Sequence, residues 1–470
     1  MAVPGAPMPL TGHAPDRLRG ELVALGRLAG PLVAANLLQM AVYAVDVVFV
    51  ARLGTRELAA ATLGVFLFSL TLWALMSLVS AGAPLIAAEL GRRRHAVREV
   101  RRTFRMSLWL GVLASLPVLL MLAHGETLLR WAGQDPDVAR RAGAFLDLLL
   151  IATVPATLTG AMRGTAAALG RPGWALGVTC MALGLGLLFN WLFVFGHGGM
   201  PALGLEGSAL ASVLTTTVTA LAWVVILAFD RKLRRYRLFG RWWQIDHARL
   251  RDIACLGAPI ALAVTFEGGL FGGAGLLVGL IGVTEVAAHA VALNIAAVAF
   301  QIPFGIAQAA TIRVGMAFGA QDRAWIGRAG RAALLLGIGV MTVTAAAIWA
   351  VPRLLIGGYL DLSDPANAAV IALAMRLLAI AAMFQLLDGA QAVAAGILRG
   401  VQDTRVPMVM AAVGYWAAGL GAAVLMGFGL RWGAVGVWLG LAVGLGVTSA
   451  LLLWRWTARA RLGLVGARSS

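Results

Sequence analysis

Charge is what this sequence has least of. Of its 470 residues, 13% are Asp, Glu, Lys or Arg, about half the roughly 25% of a soluble domain. With 60% hydrophobic residues as well, this excludes a soluble enzyme and a disordered chain. Apolar/polar alternation is missing too. The apolar residues come in long runs rather than ~10-residue alternating segments, which excludes an outer-membrane barrel. Cysteine is scarce: Cys180 and Cys255 both lie in apolar runs with no ligand spacing, so they read as small core residues without a redox or zinc role. Lysine is rarer still, with Lys232 alone, and nothing in the sequence explains that. The usual cleavable signal pattern is absent from residues 1–27, which are Pro/Gly-rich and mixed in charge. The first apolar run is long enough to stay in the bilayer.

What is present is a set of runs long enough to span a membrane, for which about 20 residues suffice. Twelve are predicted: 28–51, 58–82, 104–124, 141–161, 174–196, 206–229, 253–281, 285–310, 329–351, 372–397, 406–428 and 432–456. The fold class expected is an all-α polytopic membrane protein, with twelve transmembrane helices in two pseudo-symmetric six-helix lobes. The division is an N-terminal segment (1–27), an N-terminal lobe (28–229), a basic linker (230–252), a C-terminal lobe (253–456) and a tail (457–470). A net charge of +17 would suit nucleic acid, but the bases sit in short loops between runs. Thirty of the 38 Arg and Lys fall on the side shared with the N-terminus. The positive-inside rule then puts both termini, the linker and the tail in the cytoplasm, with the chain in the inner membrane.

The halves repeat. Pro31, Gly54, Glu57, Ala59 and Gly91 recur as Pro259, Gly282, Glu285, Ala287 and Gly319, each 228 residues later. Asp135-Pro136 recurs as Asp364-Pro365, and Gly204 and Gly207 as Gly433 and Gly436, at an offset of 229. Arg163-Gly164 pairs with Arg399-Gly400 at 236, which requires a short insertion. Six spans per half leave both halves facing the same way, related by an axis along the membrane normal. Substrate in such folds lies between halves that rock to alternate access.

Carboxylates inside spans are the chemistry-bearing residues, because a charge at the bilayer centre is costly unless it faces a cavity or a partner. Glu267 and Asp388 lie near mid-membrane, and Asp46 lies in the first span toward its outer end. None has a base three or four residues away on its own helix. If neighbouring spans also supply none, each must take up a proton or a hard metal cation, which is the chemistry of ion coupling. The alternative for each is a structural hydrogen bond. Asn36, Gln39, Asn190, Asn294 and Gln391 are supporting polar candidates, whose ordinary role would be interhelical bonding. Gln39 is the repeat partner of Glu267, so the acid belongs to the C-terminal half alone, and a negative cavity there suits a cationic substrate. Glu89 beside Arg92 to Arg94 reads as an interfacial ion pair, Asp361 and Asp364 as a turn, His289 as a packed histidine. The glycine-rich seventh span reads as a packing surface or a mobile helix.

Several stretches together resemble the multidrug and toxic compound extrusion (MATE) family, in its NorM branch. They are Val45-Asp46 with Ala51-Arg52-Leu53-Gly54; Phe266-Glu267 leading to Ala287-Ala288-His289 and Val291-Ala292-Leu293-Asn294; Ile312-Arg313-Val314-Gly315; Gly319-Ala320-Gln321-Asp322; Leu387-Asp388; and Leu398-Arg399-Gly400 with Asp403-Thr404. The resemblance runs from about residue 28 to 456. It implies a secondary antiporter, not an enzyme, that exports cationic or amphipathic organic compounds in exchange for Na⁺ or H⁺. It implies no cofactor beyond that coupling ion and no obligate protein partner. Glu267 and Asp388 are similar to the family's coupling-cation site, the place of Na⁺ if sodium is coupled. Asp46 with Asn190 resembles its proton or substrate site in the N-terminal lobe. Two positions depart from the pattern: Val47 stands where a Thr is common, and Ala290 where a Gln is common. The competing reading is a flippase for a lipid-linked substrate, which would place bases in its cavity for phosphate. A membrane-embedded transferase would need paired acids or a histidine constellation at one face, and neither is found.

Overall fold

The computed structural model describes residues 17–93 and 96–465. Residues 1–16, Arg94, His95 and the last five residues lie outside them. Among the described residues, twelve helices are long and apolar enough to cross a membrane. They are α1 (Leu18–Ala51), α2 (Thr55–Ser80, continued after a break at Ala81 by Gly82–Arg92), α3 (Val97–Leu122), α4 (Pro136–Ala168), α5 (Gly173–Val194) and α6 (Gly204–Phe229) in one lobe. The other lobe holds α7 (His247–Gly279), α8 (Val283–Gly319), α9 (Arg323–Ala350), α10 (Ala368–Gly400), α11 (Arg405–Gly429) and α12 (Gly433–Thr457). Each helix supplies its own backbone hydrogen bonds, as a chain in lipid must.

The repeat is visible in the connections. A short helix, Gly125–Trp131, joins α3 to α4, and another, Pro352–Gly357, joins α9 to α10. The Arg163/Arg399 correspondence is off by one turn. α4 ends at Ala168 and α10 at Gly400, and α5 and α11 begin at Gly173 and Arg405, an offset of 232 rather than 236. A four-residue slip keeps an arginine on the same helical face, one turn along.

The helices overrun the apolar runs. α1 starts ten residues before the expected span, and α7 starts at His247, inside the expected linker. Asp230 opens the linker by accepting the backbone N–H groups of Lys232 (2.9 Å) and Leu233 (3.2 Å). Asp246 closes it, its carboxylate accepting the Arg249 N–H at 3.0 Å to cap α7. The cysteine reading is corrected: both Cys180 and Cys255 are exposed. In a chain apolar on every face, a small residue facing lipid and one facing the core look alike.

The lobes meet through α1 and α2 of one and α7 and α8 of the other. The contact is tightest at the end rich in arginine. A Cβ on Gly319 would stand 1.8 Å from the Ala88 carbonyl oxygen, and one on Gly91 2.0 Å from that of Met316. These repeat-related glycines let α2 and α8 touch backbone to backbone. Beside them Arg313 of α8 holds Glu21 of α1 with two bonds of 2.6 and 2.7 Å. Trp325 of α9 donates to the same carboxylate at 3.2 Å, and Glu21 is fully buried.

Candidate functional site

The C-terminal lobe contains a small cavity of about 30 Å³ between α7, α10 and α11. Glu267, Gln391, Arg399, Asp403, Thr404 and Tyr415 supply its polar wall. α10 carries Gln385, Asp388 and Gln391 three residues apart, one buried polar stripe on one helical face. Asp388 is 5% exposed and Gln391 4% exposed, and Asp388 Oδ1, Gln391 Oε1 and both amide atoms of Gln385 have no hydrogen-bond partner among the described residues. Buried acceptors left open in this way are expensive unless something occupies them. Glu267 and Asp388 are within electrostatic reach of each other. The sequence thus named both acids and Gln391, and the fold brings them to one region.

The sequence left open whether a neighbouring span supplies Glu267 with a base, and α10 does. Arg399, counted from sequence as a loop base, shares the cavity with it and is within reach of its charge. α10 runs to Gly400, so Arg399 belongs to its last turn and turns inward. Tyr415 was missed by sequence. It is 1% exposed and sits where α11 winds into wide i→i+5 turns over Val413–Leu420, a local form often found at functional sites.

In the N-terminal lobe, Asp46 accepts from Asn190 Nδ2 at 2.7 Å and from Ser212 Oγ at 3.0 Å. Asn190 is fully buried and also donates to the Gly186 carbonyl at 2.9 Å. Asp46 and Asn190, paired by the sequence reading, are therefore in contact. Ser212, one serine in an apolar run, carried no signal of its own. Asn36 is buried and accepts from the guanidinium of Arg163 on α4, which also donates across the lobe boundary to Gln308 Oε1 at 3.4 Å. Gln39 is half-buried on the same helix. Asn294 joins neither cluster: it is exposed and returns its amide to the Ala290 carbonyl at 2.8 Å. His289 is packed, accepting from Trp438 Nε1 at 3.0 Å. Asp361 and Asp364 cap their own turn. Glu89 pairs with Arg92 at 3.4 Å and also with Arg249 of α7 at 3.2 Å. Of the α7 glycines, Gly269 packs against Trp416 and Gly273 against Leu420, while a Cβ on Gly279 would meet nothing within 4 Å.

Comparison with known proteins matches this arrangement. The MatE family profile fits residues 31–192 and again 259–425, once per lobe, with starts 228 residues apart. The chain belongs to the MATE family, in its NorM branch. It is 46% identical over 451 residues to a probable multidrug resistance protein NorM of Mesorhizobium japonicum, covering 96% of this chain and 97% of that one. To the multidrug resistance protein NorM of Burkholderia vietnamiensis it is 36% identical over 446 residues, covering 95% and 96%. Among solved structures, the eukaryotic MATE transporter AtDTX14 superposes with a TM-score of 0.83 at 21% identity, covering 94% of this chain and 96% of that one. An outward-facing multidrug resistance MATE transporter superposes at 0.84 and 20% identity, covering 96% and 98%. This MATE chain is thus a multi-pass membrane transporter of two six-helix lobes, and the bilayer is its solvent.

Proposed function

We propose that this MATE transporter is a multidrug antiporter of the inner membrane, exporting cationic or amphipathic organic compounds in exchange for Na⁺ or H⁺. The observation that carries the reading is the pair of Glu267, half-buried at a cavity wall, and the buried Asp388, with open acceptor atoms on Asp388 and Gln391. An incoming cation would be held by these oxygens, offsetting the cost of buried negative charge. Arg399 would set how strongly Glu267 attracts it. The relatives named as multidrug resistance proteins support the substrate class. The arginine-rich end, where the lobes touch, would face the cytoplasm with both termini. The lobes proposed, 28–229 and 253–456, would rock about the contact of α1 and α2 with α7 and α8. Coupling then requires the ion to bind one access state better than the other.

The test is transport of a fluorescent lipophilic cation in proteoliposomes under an imposed Na⁺ gradient and, separately, an imposed pH gradient. Glu267→Gln and Asp388→Asn are each expected to abolish gradient-driven movement. Wild-type rates in both variants would remove the assignment. One observation favours the lipid-linked flippase as second reading: Arg163 lies between the lobes, where a phosphate could meet it. Movement of a lipid-linked probe with neither gradient imposed would decide for it.

A further inference from the structure

A groove of about 240 Å³ lies outside the transport site, between α3, α4 and the linker. Its wall is apolar apart from one residue. Trp109 and Val112 of α3, Leu158 of α4 and Trp242 of the linker line it, and Arg105 closes its arginine-rich end. Arg105 is 9% exposed, and its Nε has no hydrogen-bond partner. Its Nη1 donates to the Gly240 carbonyl at 3.3 Å and to that of Arg241. Arg101, one turn earlier, brings a guanidinium nitrogen to 3.6 Å from the Cβ position of Gly240. Asp246, the carboxylate within electrostatic reach, is already taken by Arg102. A guanidinium stays charged at any ordinary pH, so this corner holds positive charge that the described residues do not match.

The groove is a built one. Trp109 stacks on Trp242 with ring centroids 5.7 Å apart, and its Nε1 donates to the Trp242 carbonyl at 2.9 Å. Tryptophans of this kind mark the bilayer interface. Beyond Val112 the same face of α3 continues through the exposed Leu113, Leu116 and Leu120. The apolar path therefore starts under an unmatched guanidinium and runs along an exposed apolar stripe.

We propose that this groove binds an anionic phospholipid. Its phosphate sits against Arg105 and Arg101, and one acyl chain lies along Trp109, Val112 and Leu158. Charge complementarity selects the anionic headgroup, and the Trp-lined apolar wall selects a chain rather than a free phosphate. Because the upper wall is the linker joining the lobes, the lipid also ties that linker to the N-terminal lobe.

The test is native mass spectrometry of the full chain, stripped of lipid in detergent and offered phosphatidylglycerol or phosphatidylcholine with identical chains. Wild type is expected to prefer phosphatidylglycerol by roughly five- to tenfold. Arg105→Gln should remove that preference. Val112→Trp fills the groove without touching the linker hydrogen bonds, and should abolish retention of both lipids while the protein stays monodisperse. Equal binding of the two lipids by wild type would overturn the proposal, as would unchanged phosphatidylglycerol retention in Val112→Trp. Soluble glycerol phosphate competing as well as the lipid would show an anion site with no part for the chain, and would overturn it too.

Discussion

Asp246 shows how one carboxylate fixes the start of a lobe. Arg102 bonds its side chain, the Arg249 N–H adds a second bond, and together they hold its carboxyl at about 2, below the ordinary 3.8. A depressed value stabilises the fold above the unfolded value, and that stability is lost as pH falls toward the folded one. The cap is therefore expected to be fully effective at neutral pH and to weaken between about pH 4 and pH 2. Asp246→Asn keeps an N-cap acceptor but loses the ion pair with Arg102, and should lower the thermal midpoint at pH 7, at a cost of at most about 1 kcal/mol. Its melting curve should converge on that of wild type as the pH approaches 2. Arg399 acts on the cation site instead. Arg399→Gln removes positive charge beside Glu267, so the cation concentration for half-maximal transport should fall several-fold. An unchanged or raised half-maximal concentration would remove Arg399 from the coupling site.

At the scale of elements, α1 and α8 carry the heaviest electrostatic contact. Glu21 is fully buried between Arg313 and Trp325. Removing one partner of such a pair leaves a buried charge unmatched, which costs about 3–5 kcal/mol. Glu21→Gln should therefore lower thermal stability sharply and favour separation of the lobes at their arginine-rich end. Gly319→Val should push the same way by a different route: its side chain would be driven into the Ala88 carbonyl, 1.8 Å from the Cβ position. The lobes could then not meet there, and turnover should stop while the helix content measured by circular dichroism is unchanged. The spans themselves were legible because a bilayer demands one apolar run per crossing. Glu21 was not, because α1 begins before its apolar run and the partner lies 292 residues away. Ser212 and Tyr415 were equally silent, since one hydroxyl in an apolar run says nothing of which face it takes. Glu267, Asp388 and Asp46 were legible for the converse reason: burial makes a charge too expensive to be incidental.

At the scale of the molecule, two lobes built on one pattern carry unlike polar clusters. Asp46 is matched by hydrogen bonds from Asn190 and Ser212, while Asp388 keeps an open oxygen. The lobe contact gives a direct way to follow their relative motion. Ala88 is 1% exposed against α8. With Cys180 and Cys255 replaced by Ser, a thiol introduced by Ala88→Cys should react slowly with maleimide at rest and markedly faster during turnover. Equal rates in both conditions would mean that this contact stays closed throughout the cycle. Lys232 gives the molecule one more property. The chain's single lysine lies in the turn that Asp230 ties down, on the segment joining the lobes. A reagent that acylates side-chain amines therefore has one address, and it is a joint. A dye coupled there would report from the segment between the two lobes of the native chain, with no residue exchanged to place it.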